Sequence, residues 1–97
     1  MLHVVAVLSV IDRVKLTLFE SQAMVILKRH GGELVVAFTS ATEQGEREVH
    51  HLCFQDREAF QAYRDDPELT ALASLRAEAI SDTEVYVSAS VLDYQPD

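Results

Sequence analysis

Arg76 is the residue whose setting most demands a chemical explanation. If the segment from Asp66-Pro67 to about Ile80 is one helix, Leu69, Leu72, Ala73 and Ile80 line an apolar face at about 100° per residue, and Arg76 falls in the middle of it. A guanidinium keeps its proton, so burial demands a partner. Three arrangements meet that demand. An internal carboxylate such as Glu20 pairs with it, or the stem lies flat with its head in water, or the charge clamps an anionic ligand, a carboxylate or enolate, in a dry pocket.

The histidines come next. His30 ends the apolar face of the first helix, where imidazole either caps the last carbonyls or works as an acid or base near neutral pH. His50 and His51 are neighbours on a strand and point to opposite faces, so they do not chelate one metal together. His51 shares its face with Val49 and Cys53, and His50 shares the other with Leu52 and Phe54. The sequence leaves open which of the two faces a pocket. Tyr63 follows Phe60 by three positions and either packs with it or offers a hydroxyl donor. Phe19 suits a pocket wall or the core equally. Cys53 is the only cysteine, so it forms no internal disulfide; it reads as a small core residue, and no cysteine-based metal site is expected. There is no glycine-rich phosphate loop, zinc spacing or nucleophile-elbow serine. Neither a metal nor a cofactor is expected.

The elements that position these residues follow from periodicity. Leu2 to Val10 is rich in β-branched residues and reads as the first strand. Asp12 caps a helix over about Val14 to His30, with Leu16, Phe19, Ala23, Ile26 and Leu27 on one face and Gly31-Gly32 as its stop. Glu33 to Thr39 and Glu46 to Phe54 read as a hairpin around a polar turn. Asp56 caps a second helix, Asp66-Pro67 interrupts it, and a fresh helical turn runs to about Ile80. Glu84 to Leu92 reads as the fourth strand, and Tyr94 to Asp97 as a frayed acidic tail. The order is β-α-β-β-α-β. It predicts an α+β, ferredoxin-like fold with a four-stranded antiparallel sheet and both helices on one face.

The 97 residues suit one domain, 1–97. The formal charge of −8 repels phosphate backbones and anionic headgroups, so neither nucleic acid nor a membrane is expected as a partner. The apolar run Leu2 to Ile11 lacks a basic flank and a cleavage site, and a cytoplasmic location is expected. Both faces of the strands are apolar. Val5 and Val7 oppose Val4, Ala6 and Leu8, and Leu34, Val36 and Phe38 oppose Val35 and Ala37. Two helices cover one face only. The other predicts a homodimer through sheet faces.

The run His30-Gly31-Gly32 followed by Glu33-Leu34-Val35-Val36 resembles uncharacterised bacterial proteins of the dimeric α+β barrel superfamily. Val49-His50-His51-Leu52-Cys53-Phe54, then Arg57 to Tyr63, Asp66-Pro67-Glu68-Leu69 and Arg76 continue the likeness, which spans roughly residues 2 to 92. The resemblance implies two sheets facing each other in a dimer, with a pocket between each sheet and its helices. The superfamily includes antibiotic-biosynthesis monooxygenases and haem-degrading enzymes that rely on tryptophan and asparagine in the pocket; this chain contains neither.

The leading expectation is therefore a protein that binds a small anionic or aromatic molecule, with Arg76, His30, Tyr63, His50 or His51, and Phe19 around the ligand. The alternatives are a cofactor-independent oxygenase, isomerase or decarboxylase acting on a small acidic or phenolic compound, and a structural or interaction dimer without catalysis.

Overall fold

The structure is a computed structural model that describes residues 1–94. Strand β1 (Leu2–Val10) leads into helix α1 (Arg13–Arg29), then the hairpin β2 (Glu33–Thr42) and β3 (Gly45–Phe54). Helices α2 (Arg57–Arg64), α3 (Pro67–Thr70) and α4 (Ala73–Ala79) follow, and strand β4 (Ile80–Ser88) closes the sheet. The strands lie in the order β2-β3-β1-β4 and every neighbouring pair is antiparallel. This is the expected α+β arrangement.

Local chemistry sets the helix ends. The Asp12 side chain accepts from the Lys15 N–H at 3.0 Å, and Asp56 accepts from the Ala59 N–H at 2.9 Å. Each carboxylate satisfies a backbone donor that the first turn leaves unpaired. Gly31 takes a φ of 72°, the left-handed conformation that ends α1 without a Cβ clash. Gly32 serves a different need. A Cβ there would lie 2.5 Å from Leu27 Cδ1 and 2.8 Å from Phe54 Cε1, so the backbone passes too close to the core for a side chain.

The residues Leu2, Val4 and Leu8 of β1 turn toward the helices and are buried. They join two clusters. Leu2, Val4, Leu27, Leu52, Phe54 and Phe60 form one, and Leu8, Leu16, Phe19, Ala23, Ala79 and Ile80 form the other. Burial of this kind contributes on the order of 2 kcal/mol per large side chain and holds the helical layer on the sheet.

Four expectations need correction. The strands of the hairpin are longer, because Ser40, Ala41 and Thr42 pair with Arg47, Glu46 and Gly45 and leave only Glu43-Gln44 as the turn. A β-bulge between Leu34 and Val36 breaks the strict alternation of β2. Leu34 therefore pairs with Leu52, on the helix side, while Val36 and Phe38 pair with His51 and Val49 on the other. The third helical segment breaks again at Ala71-Leu72, where the Leu72 N–H bonds Leu69 O three residues back. The break shifts the helical phase, so Ala73 is exposed and Leu69, Leu72 and Leu75 pack on the core. The fourth strand begins at Ile80 and ends at Ser88, because Ser81 to Thr83 lie along the edge of β1 instead of looping away from it. The expectation of a frayed tail falls largely on residues 95–97, outside the described residues.

The sheet face away from the helices carries Val5, Val7, Val36, Phe38, Val49 and Tyr86, by register with one another. Val36 is 48% exposed and Phe38 54% exposed. Among the described residues, no helix is long and apolar enough to cross a membrane.

Candidate functional site

A cavity of about 460 Å³ opens between the sheet and the helices. Its volume lies within the range of about 300–1,000 Å³ usual for small-ligand pockets. It sits where the two core clusters meet: Val4, Leu52 and Phe60 come from one, and Leu8, Phe19 and Ile80 from the other. Into this apolar frame project Glu20 from α1, His50 from β3, Tyr63 and Arg64 from α2, Arg76 from α4 and Thr83 from β4.

Strand alternation explains His50. It pairs with Ala6 and shares the helix-facing side with Leu52 and Glu48, while His51 pairs with Val5 and points the other way. His50 is buried, with Nε2 2.7 Å from Glu48 Oε2. Burial works to raise the Glu48 carboxyl, but hydrogen bonds from Arg13 and His50 outweigh it and hold the group below its ordinary value. Arg13 Nη1 donates to Glu48 Oε1 at 2.6 Å and its other terminal nitrogen pairs with Glu46. An ionised carboxylate only accepts, so His50 Nε2 is the donor in this hydrogen bond.

The environment of Glu20 acts in the opposite sense. Burial pushes its carboxyl above the ordinary value and the Glu48 charge adds to this, against the pull of His50 and Arg76. Two carboxyls within one cluster are thus driven apart, one toward the acid and one toward the anion. Burial pushes Tyr63 up to about 12, so its hydroxyl stays protonated and available as a donor. Its ring packs 5.7 Å from that of Phe54.

Arg76 is half-buried. Its Nη2 donates to Thr83 Oγ1 at 2.6 Å. Among the described residues, no carboxylate lies within ion-pair distance of it. Glu20 influences it through space without contact. Of the three arrangements open to Arg76 in the sequence, the internal ion pair is not the one formed.

The remaining sequence candidates divide cleanly. Arg76, Tyr63, His50 and Phe19 come together around the cavity. His30 does not: it caps α1 and lies 2.7 Å from Asp66, whose carboxyl it holds below the ordinary value, with help from the Glu68 N–H. His51 lies on the outer sheet face, with Nε2 3.0 Å from His3 Nδ1. Thr83 and Arg64 line the cavity and Glu48 stands behind His50, three groups that no motif in the sequence singles out. The signal for Glu48 was its i, i+2 spacing from His50, which puts both on one face of a strand.

Glu20, Glu48 and His50 offer ligand atoms within 4.8 Å of one another. Arg13 already supplies a positive charge to Glu48, so the trio fits proton transfer better than it fits a metal ion.

The family profile described as Domain of unknown function (DUF1330) matches residues 2–90. The chain belongs to the DUF1330 family. No curated protein matches its sequence. Among solved structures, the DUF1330 chain is similar to an uncharacterised NIPSNAP domain protein from Burkholderia xenovorans, with 15% identity, a TM-score of 0.73 and full coverage of both chains. It is also similar to a NIPSNAP family protein of unknown function from Agrobacterium tumefaciens, with 21% identity, a TM-score of 0.70, and coverage of 91% of this chain and 86% of that one. A third likeness is to SnoaB, a cofactor-independent oxygenase from Streptomyces nogalater, with 11% identity, a TM-score of 0.70, and coverage of 98% and 97%. At these identities the likeness establishes the fold, the ferredoxin-like α+β barrel type that the sequence resembles.

Proposed function

We propose that this DUF1330 chain is a single-domain, cytoplasmic protein that forms a homodimer through its outer sheet faces and binds a small anionic or aromatic molecule in the cavity of each protomer. The observation that carries the binding proposal is Arg76: a permanent charge at an apolar cavity, positioned by Thr83 and without a carboxylate partner among the described residues. A carboxylate or phenolate entering the cavity gains a charge-assisted hydrogen bond there, with Tyr63 as a second donor and Phe19 and Phe60 as walls. The exposed apolar outer face supports the dimer, since a twofold pairing covers it with no new element. Isothermal titration of small carboxylates and phenolates against the chain and against Arg76→Ala tests the binding. Affinity falls at least about tenfold in the variant, the loss expected for a charged hydrogen bond.

A second reading rests on the dyad of His50 and Glu48. A ring held in one tautomer by an ionised carboxylate, beside an acid of raised pKa, is equipped to move a proton on a bound carbon acid. SnoaB, similar in fold, is a cofactor-independent oxygenase, and removal of a proton from an acidic or phenolic substrate is the step that this dyad would supply here. Deuterium uptake from heavy water at the acidic carbon of 1,3-dicarbonyl acids, followed by NMR, checks this reading. Exchange that disappears in His50→Ala supports it, and exchange equal to the buffer rate leaves a binding protein.

A further inference from the structure

The cavity leaves one cluster of ligating side chains unused. On the opposite sheet face, His3 of β1 pairs across the ladder with Cys53 of β3, and His51 lies two residues before Cys53 on the same side. Three atoms converge there. His3 Nδ1 is 3.0 Å from His51 Nε2, Cys53 Sγ is 3.3 Å from His3 Nδ1, and Sγ is 3.8 Å from His51 Nε2. Tetrahedral zinc bonded at about 2.0 Å to nitrogen and 2.3 Å to sulfur separates its ligand atoms by about 3.3–3.6 Å. The triangle needs adjustments of only a few tenths of an ångström to fit it.

The setting strengthens the fit. The strands β1 and β3 are the two central strands, so the ladder holds the three Cα positions rigidly. These side chains bond only to one another among the described residues, and no cation competes for them, in contrast to Arg13 at Glu48. A hydrogen bond between the two imidazole nitrogens, 3.0 Å apart, uses the lone pair of one of them only. A cation accepts lone pairs from both nitrogens and from the sulfur at once. Two imidazoles and one thiolate suit a borderline-soft ion and not magnesium or calcium.

We propose that His3, His51 and Cys53 form a three-ligand zinc site on the outer sheet face, with the fourth position directed away from the strands, toward the face proposed to pair. Binding forms two Zn–N bonds and one Zn–S bond and releases the thiol proton to solvent. The three ligands come from one chain, so the site does not need the cavity reading, and it lies on the same sheet face that is proposed to pair in the dimer. The sequence pattern had concealed it, since His3 and Cys53 are 50 residues apart.

The test uses the full chain expressed in cobalt-supplemented minimal medium, so that the ion is present as the fold forms, and purified under reducing conditions. Cobalt serves as the spectroscopic probe for zinc. The expected result is about one cobalt per chain, with a near-ultraviolet thiolate-to-cobalt charge-transfer band that added zinc abolishes. Bound cobalt falls at least about tenfold in Cys53→Ser and in His3→Ala, since loss of a direct ligand costs no less than loss of a supporting group. Circular dichroism establishes that each variant is folded. Cobalt retained without a thiolate band, no cobalt in the folded chain, or binding lost in Glu48→Gln but kept in Cys53→Ser overturns the proposal.

Discussion

The two faces of the sheet are built from the same strands and end in different states. His50 and His51 are adjacent, yet one is buried beside a carboxylate under the helices and the other lies on a face that this chain leaves open. The helix side is covered by the chain itself: Leu16, Phe19, Ala23 and Leu27 of α1 close over Leu2, Val4 and Leu8. The outer side presents Val36, Phe38 and Tyr86 to solvent with no helix above them. Alternation assigns residues to a face, while the cover over that face decides what they do. Under the helices, dehydration raises Glu20 and Tyr63 and favours their protonated forms. On the open face comparable apolar side chains, Val36 and Phe38 among them, stay exposed.

The sharpest way to separate the faces is to damage each in turn. Phe54→Ala strikes the helix side, where the ring is 1% exposed and packs on Phe60 and Tyr63. It lowers the unfolding free energy by about 3–5 kcal/mol in a denaturant titration. Gly32→Ala attacks the same packing from the backbone. Its methyl meets Leu27 and Phe54, and the cost is about 1–3 kcal/mol. Phe38→Asp strikes the outer side and leaves the helix-side core untouched. Light scattering then returns a mass near 10.8 kDa, one chain, with an unchanged circular dichroism spectrum. A dimeric mass in that variant would assign assembly to another surface.

A pH series sharpens the difference within the cavity. Glu20 has its folded pKa above the ordinary 4.5, so the native state holds more protons than the unfolded state just above that value. Stability from this group is therefore lost as pH rises from 4.5 through the folded pKa. Glu20→Gln removes the loss, and its melting temperature exceeds that of the unaltered chain at pH 7 by more than at pH 4. Glu48 has the opposite sign. Its depressed pKa contributes stability above 4.5 that disappears as pH falls through the folded value. Glu48→Gln is therefore most destabilising at neutral pH, and the gap narrows in acid.

Much of this fold was legible because its signals are local. The β-branched run of β1, the Asp12 and Asp56 caps and the Gly31 stop each act within a few residues. The errors arose where tertiary pairing overrode a local pattern. The extra residue at Val35 is a bulge that no period-two reading anticipates. Polar Ser81, Asp82 and Thr83 look like a loop until β1 supplies their partners. The break at Ala71-Leu72 carries no proline or glycine to announce it. The site was legible in part for the same reason. Arg76 and Tyr63 stood out on helical faces, and His50 on a strand, but His50 and His51 both have apolar neighbours, so only the packed helices distinguish them. Glu48 reads as ordinary surface charge because its significance depends on burial and on Arg13 at the start of α1, and Glu20, foreseen as an internal carboxylate, is half-buried without pairing with Arg76.

A ligand site anchored by Arg76 under the helices is the proposal on which the contrast between the two faces turns. Thermal shift of the chain against a panel of small carboxylates and phenolates, run beside Arg76→Ala, tests it most directly. At least one panel member is expected to raise the melting temperature of the unaltered chain in a concentration-dependent way and to leave the folded variant unmoved. Equal shifts in both proteins, or none in either, would contradict it.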